Sequence, residues 1–265
     1  MKNIIKSIWY EIVHRKTLLI IFGAFVLIMV GSGFSATADA TYGFQMGGVS
    51  NMLAAHPWMP YELSLIFLAI FVGNVCCEDY KDKVINYEIL CGHSRRSIFL
   101  ARSLMAIGIG TLLTLLLSFL PLITGYALAG WGDRLSLGDI LLRYFLLGLP
   151  YLRLAAFLVV LSYLCKSPYA MIAVGIVLSL SVGIFSDMFQ HSRSVFVSLF
   201  NLLLLTEYEG WSSYNLDPSI GVIRYYAYDS SIPQGVVSGT IIASLLMTGF
   251  YLFMGYALFR RDELN

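Results

Sequence analysis

Stretches of about 20 apolar residues recur along this chain, and they constrain its fold more than any other feature. Each is long enough to cross a hydrocarbon core about 30 Å thick as an α-helix. The composition agrees, because 58% of the 265 residues are hydrophobic and only 12% are charged, whereas soluble domains average roughly 25% charged residues. A soluble domain of this size could not bury so much apolar surface in one core. The sequence therefore predicts an all-α polytopic membrane protein.

Six of these stretches are predicted to be transmembrane helices of a single transmembrane domain that covers residues 1–265. They are residues 17–34, 61–77, 103–128, 140–164, 169–185 and 235–259. The fourth is expected to be interrupted by Pro150. The long segment 186–234 would be extracellular. Within it, residues 195–205 are apolar but too short to span, and we expect them to dip into the outer leaflet or to pack between spans.

The distribution of basic residues predicts the orientation. Six spans place both termini and the segment after the second span on one side, and that side holds 12 of the 17 Lys and Arg residues. These twelve are Lys2, Lys6, Arg15, Lys16, Lys81, Lys83, Arg95, Arg96, Arg102, Lys166, Arg260 and Arg261. Short loops with a basic excess face the cytoplasm. We therefore expect a multi-pass protein of the cell membrane with both termini in the cytoplasm.

Residues 1–16 have the pattern of an amphipathic helix. Their apolar side chains form one stripe, which comprises Ile4, Ile5, Ile8, Trp9, Ile12 and Val13. Two interpretations fit this stripe. The helix lies in the headgroup plane with the stripe in the acyl boundary, which Trp9 and the flanking lysines favour, or it is a cytoplasmic helix that packs on the protein itself.

The most highly charged segment, residues 78–102, follows the second span. Residues 79–91 are predicted to form a short helix on the membrane surface. One face of this helix carries Tyr80, Val84, Tyr87 and Cys91, with Ile85 and Ile89 beside it. Its polar face, with Asp79, Asp82, Lys83 and Asn86, is expected to look toward the cytosol.

A sharp turn should return the chain from this surface helix to the bilayer. Gly92 suits a left-handed helix C-cap, and Ser94 suits the N-cap of the next helix, which carries Arg95, Arg96 and Arg102 into the third span. The segment 79–91 is either a docking site for a partner protein or an ordinary solvated loop. We favour docking because a plain connection usually needs only a few residues.

The sequence shows no motif of its own for catalysis or for metal binding. It contains no Walker A phosphate-binding loop, no H-E-x-x-H and no G-x-S-x-G. The four histidines are scattered, with no second ligand at helical spacing. We therefore expect no catalytic residue, no metal site and no cofactor bound by this chain, and nothing indicates a nucleic-acid partner.

The run E-D-Y-K-D-K-V-I-N-Y-E-I-L-C-G-H-S-R-R-S-I-F-L-A-R-S-L, from Glu78 to Leu104, resembles the corresponding segment of ABC-2 type transporter permeases. Bacterial members of that family, which has the type V exporter fold, carry a similar pattern in which D-x-K is followed by G-x-S-R, and the six-span layout extends the resemblance over nearly the whole chain. The resemblance implies a permease dimer, with a second permease subunit that is the same or homologous. Two copies of a separate ATPase subunit would bind the ATP and Mg²⁺.

The resemblance also assigns roles to residues near the second and third spans. It implies that the 79–91 helix inserts into a groove of the ATPase, with the N-terminal helix supporting it. The implied ATPase-coupling residues are Asp79, Tyr80, Asp82, Lys83, Val84, Tyr87, Glu88 and Cys91, and the implied elbow residues are Gly92, Ser94, Arg95 and Arg96.

These features predict the membrane subunit of an ATP-driven exporter of an amphipathic substrate, such as a peptide, an antibiotic or a lipid-like molecule. An immunity permease that expels antimicrobial peptides belongs to the same class. The alternative is an ion-coupled secondary transporter or a channel that acts without an ATPase. Such carriers usually place acidic residues deep in the bilayer, whereas Glu62, Glu78 and Asp187 lie near the ends of predicted spans.

Arg153 is the charged residue predicted to lie deepest in the bilayer. It precedes the inner end of the fourth span by about 16 Å at 1.5 Å per residue. It either lines the path of an anionic or amphipathic substrate, or it binds carbonyl groups that Pro150 frees.

Overall fold

The computed structural model describes residues 2–38, 59–81, 84–131, 137–189 and 234–261. In these ranges the chain forms eight helices and no strand, which confirms the predicted all-α class. The helices are α1 (Lys2–His14), α2 (Lys16–Ala38), α3 (Met59–Lys81), α4 (Val84–Leu90), α5 (Arg95–Ala129), α6 (Leu137–Cys165), α7 (Pro168–Phe189) and α8 (Gln234–Arg261).

Four of these helices are long and apolar enough to cross a membrane. Their apolar stretches are Lys16–Gly33, Arg95–Leu128, Tyr144–Cys165 and Val237–Arg261. Helices α3 and α7 contain shorter apolar stretches, Leu63–Glu78 and Pro168–Ser181. Each of the six predicted spans falls within one of these helices. The segment 195–205 lies outside the described residues.

The predicted interruption of the fourth span at Pro150 is wrong. Helix α6 runs from Leu137 to Cys165 without a break, so Pro150 lies inside the helix and does not interrupt it. Neighbouring helices can compensate the hydrogen bond that a proline removes in such a bundle, and Pro150 is buried among them.

The centre of the bundle consists of α3, α5 and α6, which contact one another. Helix α2 packs mainly against α5, α7 against α3, and α8 against α6. The side chains of Phe67 and Phe71 on α3 and of Tyr151 on α6 are almost completely buried. The apolar side chains that face outward from the bundle include Leu27 on α2, at 74% exposure. This outward distribution is what lipid as a solvent permits.

Glycine allows α3 and α7 to approach closely. A Cβ added to Gly73 would lie 2.6 Å from Cβ of Met171, and one added to Gly175 would lie 2.6 Å from Cβ of Ala69. Real Cβ atoms do not come so close, so both positions require glycine at this helix spacing. Small residues at helix contacts are typical of membrane bundles, in which close backbone packing replaces the hydrophobic effect as the source of association.

Hydroxyl groups connect the three central helices. Oγ of Ser118 lies 3.1 Å from Oγ of Ser64 and 3.0 Å from the hydroxyl oxygen of Tyr151. The Tyr144 hydroxyl donates to the carbonyl oxygen of Ser118 at 3.1 Å. All four side chains are buried. The bonds satisfy polar groups in the core, where an unsatisfied one would cost roughly 1–3 kcal/mol.

One end of the bundle collects basic side chains, and we call it the basic end. It is formed by the start of α5 and by the final turns of α3, α6 and α8. Contacts across this end include Sγ of Cys77 with the carbonyl oxygen of Ser162, at 3.4 Å, and the rings of Tyr163 and Phe259, whose centroids are 5.4 Å apart. Helices α1 and α4 lie at this same end, because they adjoin α2, α3 and α5 there.

Candidate functional site

The surface helix predicted over residues 79–91 is shorter in the structure. Asp79 and Tyr80 belong to the last turn of α3, which ends at Lys81, and the separate helix α4 covers Val84–Leu90. Asp82 and Lys83 lie outside the described residues. Cys91 follows α4 in a turn and is exposed. Of the predicted coupling residues, the structure therefore places Val84, Tyr87 and Glu88 on the short helix itself.

The turn after α4 has the geometry that its sequence predicts. Gly92 has a φ angle of +87°, a left-handed conformation that glycine adopts without a steric penalty. Its N–H donates to the carbonyl oxygen of Ile89 at 2.9 Å. Ser94 then caps α5, because its Oγ accepts a hydrogen bond from the N–H of Ser97 at 3.2 Å. Arg95 and Arg96 are the first two residues of α5.

The inner face of α4 is attached to the bundle by one apolar and one ionic contact. Ile85 is 1% exposed and belongs to the hydrophobic core, and Ile89 packs against it. Oε2 of Glu88 lies 3.0 Å from Nη2 of Arg102 on α5. The Arg102 side chain is only 2% exposed, so this ion pair is largely removed from water. A displacement of α4 would therefore act directly on α5.

The outer face of α4 is apolar. Val84, Tyr87 and Leu90 are 37%, 67% and 81% exposed. Their spacing of three residues places them on one side of the helix. The sequence interpretation instead placed Asn86 toward the cytosol, but Asn86 is half-buried. Asn86 thus has neither the exposure of Tyr87 nor the burial of Ile85, and Asp82 and Lys83 of the predicted polar face lie outside the described residues.

The N-terminal helix is joined to the end of α3 by charge. The guanidinium group of Arg15 forms ion pairs with Glu11 of α1 and with Glu78 of α3. It also donates to the carbonyl oxygen of Asn74 at 3.4 Å. Glu78 and Asn74 lie 63 and 59 residues from Arg15 along the chain, so no periodic pattern could reveal these two contacts. From the sequence, Arg15 was predicted only to mark the cytoplasmic side.

Helix α1 combines the two interpretations given for its apolar stripe. Ile4 and Ile8 are 3% and 4% exposed, because they pack into the core of the protein. Trp9, Tyr10 and Val13 remain exposed. The helix is therefore docked on the bundle through part of the predicted stripe, and only the remaining part, at Trp9 and Val13, is available to the membrane interface.

Arg153 is not part of the group of residues at the basic end. It lies on α6, about 18 Å along the helix from Cys165 at 1.5 Å per residue. Its side chain is 0% exposed. A residue that lined an open substrate path would show exposed surface. This burial favours the structural role over the substrate path.

Sequence reasoning missed three residues of the site, which are Leu90, Arg102 and Arg15. Leu90 could have been found, because it follows Val84 and Tyr87 at a regular spacing of three residues. The pairing of Arg102 with Glu88 could not, because the two residues face each other only across the turn at Gly92.

No protein-family model matches the chain, and the comparison with curated proteins finds no match either.

Proposed function

We propose that this chain is the permease subunit of an ATP-binding-cassette exporter and that α4 is the docking site of a separate ATPase subunit. The observation that carries the proposal is the two-sided character of α4. Its outer face presents Val84, Tyr87 and Leu90, while its inner face is fixed by Ile85 and by the ion pair of Glu88 with Arg102. An exposed apolar face on a firmly attached element is typical of a protein-protein contact.

In this proposal all six long helices cross the cell membrane. Helices α3 and α7 contain 23 and 22 residues, and about 20 residues suffice to cross a hydrocarbon core. Six crossings put both termini on the side of the basic end. The arginines and lysines there favour the cytoplasm for that side, which is where an ATPase would find ATP.

The same arrangement provides a route for force. Movement of an ATPase bound to α4 would pass through Glu88 and Arg102 to α5, which is 35 residues long and reaches the opposite end of the bundle. The ion pair of Arg15 with Glu78 would make the end of α3 move together with α1. The chain itself would hydrolyse nothing. The ATPase would supply the ATP and Mg²⁺ chemistry.

The remaining parts of the proposal follow from the family resemblance. Two permease subunits, identical or homologous, would form the transport path between them, and two ATPase subunits would bind below. The substrate would be amphipathic, such as a peptide, an antibiotic or a lipid-like molecule, as the resemblance implies.

The test is capture of the ATPase from native membranes with a tagged chain, followed by measurement of ATP hydrolysis in the captured complex. Tyr87→Arg places a charge in the proposed contact and should reduce both capture and hydrolysis at least tenfold, since an interface anchor contributes about 1.4 kcal/mol or more. Tyr169→Arg is the matched control. Tyr169 is 73% exposed at the start of α7, compared with 67% for Tyr87.

The proposal is wrong if the two variants lose the ATPase equally, or if neither loses it. Transport by the purified chain alone in sealed vesicles, driven by an ion gradient, would instead establish the ion-coupled carrier.

A further inference from the structure

The fold brings together two pairs of arginines that are far apart in the sequence. Arg95 and Arg96 begin α5, and Arg260 and Arg261 end α8. Nη1 of Arg95 donates to the carbonyl oxygen of Arg260 at 3.4 Å, and the Arg96 guanidinium lies 5.7 Å from the ring centroid of Tyr256 on α8. All four arginines are exposed. We call this group the arginine cluster.

A platform of aromatic rings supports the arginine cluster. Phe99 of α5 lies 5.3 Å from Tyr163 of α6 and 5.8 Å from Phe259 of α8, measured between ring centroids. Tyr256 lies 5.5 Å from Phe99. Phe99 and Phe259 are each 1% exposed. These contacts fix the ends of three helices relative to one another, so the spacing of the arginines does not depend on loops.

The level of the arginine cluster matches that of a lipid headgroup. Arg95 is the first residue of the apolar stretch of α5, and Arg261 is the last residue of the apolar stretch of α8. Exposed apolar side chains continue from both helix ends. Leu100, one turn from Arg96, is 41% exposed, and Phe253, two turns from Arg260, is 71% exposed. An acyl chain would therefore find apolar surface directly next to the cationic groups.

We propose that the arginine cluster binds the phosphate headgroup of an anionic lipid in the membrane leaflet at the basic end. Guanidinium groups donate two parallel hydrogen bonds to phosphate oxygens, and they are the preferred protein partners of phosphate. Asp262 and Glu263 follow in the sequence and contribute −2, whereas the four arginines contribute +4, so the local formal charge stays positive. This inference does not depend on the ATPase partner.

The test measures lipid binding to the purified full chain in neutral detergent by native mass spectrometry. Phosphatidylglycerol is titrated, with phosphatidylcholine as the uncharged reference. Each basic residue near an anionic lipid contributes about fivefold in affinity, so the double variant Arg96→Gln with Arg260→Gln should bind phosphatidylglycerol about thirtyfold more weakly. The matched control, Lys6→Gln with Lys16→Gln, removes two exposed cations from α1 and α2, outside the arginine cluster. It should change the affinity for phosphatidylglycerol less than about twofold.

The variant Arg261→Gln keeps the contacts of Arg95 and Arg96 with α8 intact and guards against a folding defect in the double variant. It should weaken binding by about fivefold on its own. Equal losses in the cluster variants and in the lysine control would overturn the proposal, because they would show general attraction to charge. Binding of inorganic phosphate as tight as that of phosphatidylglycerol would overturn the assignment to a lipid. A purified chain that does not distinguish the two lipids would overturn it as well and would favour an acidic protein as the partner.

Discussion

Removal of the Glu88 carboxylate is the sharpest test of how α4 is held. The substitution Glu88→Gln keeps the size of the side chain and deletes the charge that faces Arg102 at 3.0 Å. Arg102 is 2% exposed and cannot turn to water for compensation. The expected result is a less stable protein in which α4 detaches more easily from α5.

The structure bounds the size of this effect. Two unit charges at 3.0 Å attract by about 5.5 kcal/mol at an effective dielectric constant of about 20, before the cost of desolvation. Breaking a fully buried pair typically costs roughly 3–5 kcal/mol. The Glu88 side chain is still 18% exposed, and Arg102 makes other interactions. We therefore expect a loss of about 2–3 kcal/mol in the free energy of unfolding.

The assay is thermal unfolding of the purified chain in detergent, combined with hydrogen exchange of the α4 amides. At roughly 2–4 °C per kcal/mol for a chain of this size, Tm should fall by about 4–12 °C. Glu11→Gln is the control, because Glu11 also pairs with an arginine but its side chain is 41% exposed. An exposed pair of this kind is worth about 0.3–0.5 kcal/mol.

A second variant separates the charge from the packing. Arg102→Met in the Glu88→Gln background replaces both charges with neutral groups of similar size and should recover most of the lost stability. A coupling energy of about 1–3 kcal/mol is expected from the double-mutant cycle. Strictly additive losses would refute the ion pair as the attachment of α4. An unchanged Tm and unchanged exchange in Glu88→Gln would refute it equally.

Two further substitutions test the packing of the bundle. Gly175→Leu should lower the yield of folded protein and destabilise it by at least about 2 kcal/mol, since a Cβ there would lie 2.6 Å from Cβ of Ala69. The control is Gly23→Leu, which should leave thermal unfolding unchanged because nothing lies within 4 Å of a Cβ added at Gly23. Equal effects of the two substitutions on thermal unfolding would contradict the close contact between α3 and α7. Arg153→Leu should lower the thermal stability by about 1–3 kcal/mol, because Arg153 is fully buried and takes part in interactions that leucine cannot make. A variant that folds and assembles normally but no longer exports substrate would restore the substrate-path hypothesis for Arg153.

The local sequence predicted the structure correctly where the conformation depends only on residues of one helix and its nearest neighbours. The predicted spans lie in helices because runs of about 20 apolar residues leave a backbone no better way to satisfy its hydrogen bonds in lipid. The turn at Gly92 and the cap at Ser94 were also predictable, since each depends on one residue and its nearest neighbours. The prediction failed at Pro150, where the helices packed around it, and not the proline itself, determine whether the helix continues.

The faces of the short helices were less accessible to sequence reasoning. Seven residues in α4 give too few turns for periodicity to distinguish inside from outside. Which face of α4 points toward the bundle depends on the ion pair of Glu88 with Arg102, a residue of the next helix.

The sequence by itself determined that this chain forms apolar helices of membrane-spanning length, with a charged segment after the second apolar stretch. Hydrophobicity, periodicity and capping are local properties, because each depends on residues that are close together in the sequence. Only the tertiary structure decided which charges meet. Arg15 with Glu78, Glu88 with Arg102 and Arg95 with Arg260 are brought together by helix packing, whose geometry follows from close contacts such as that of Gly175 with Ala69. These long-range pairs hold α1 and α4 on the bundle and bring the arginine cluster together.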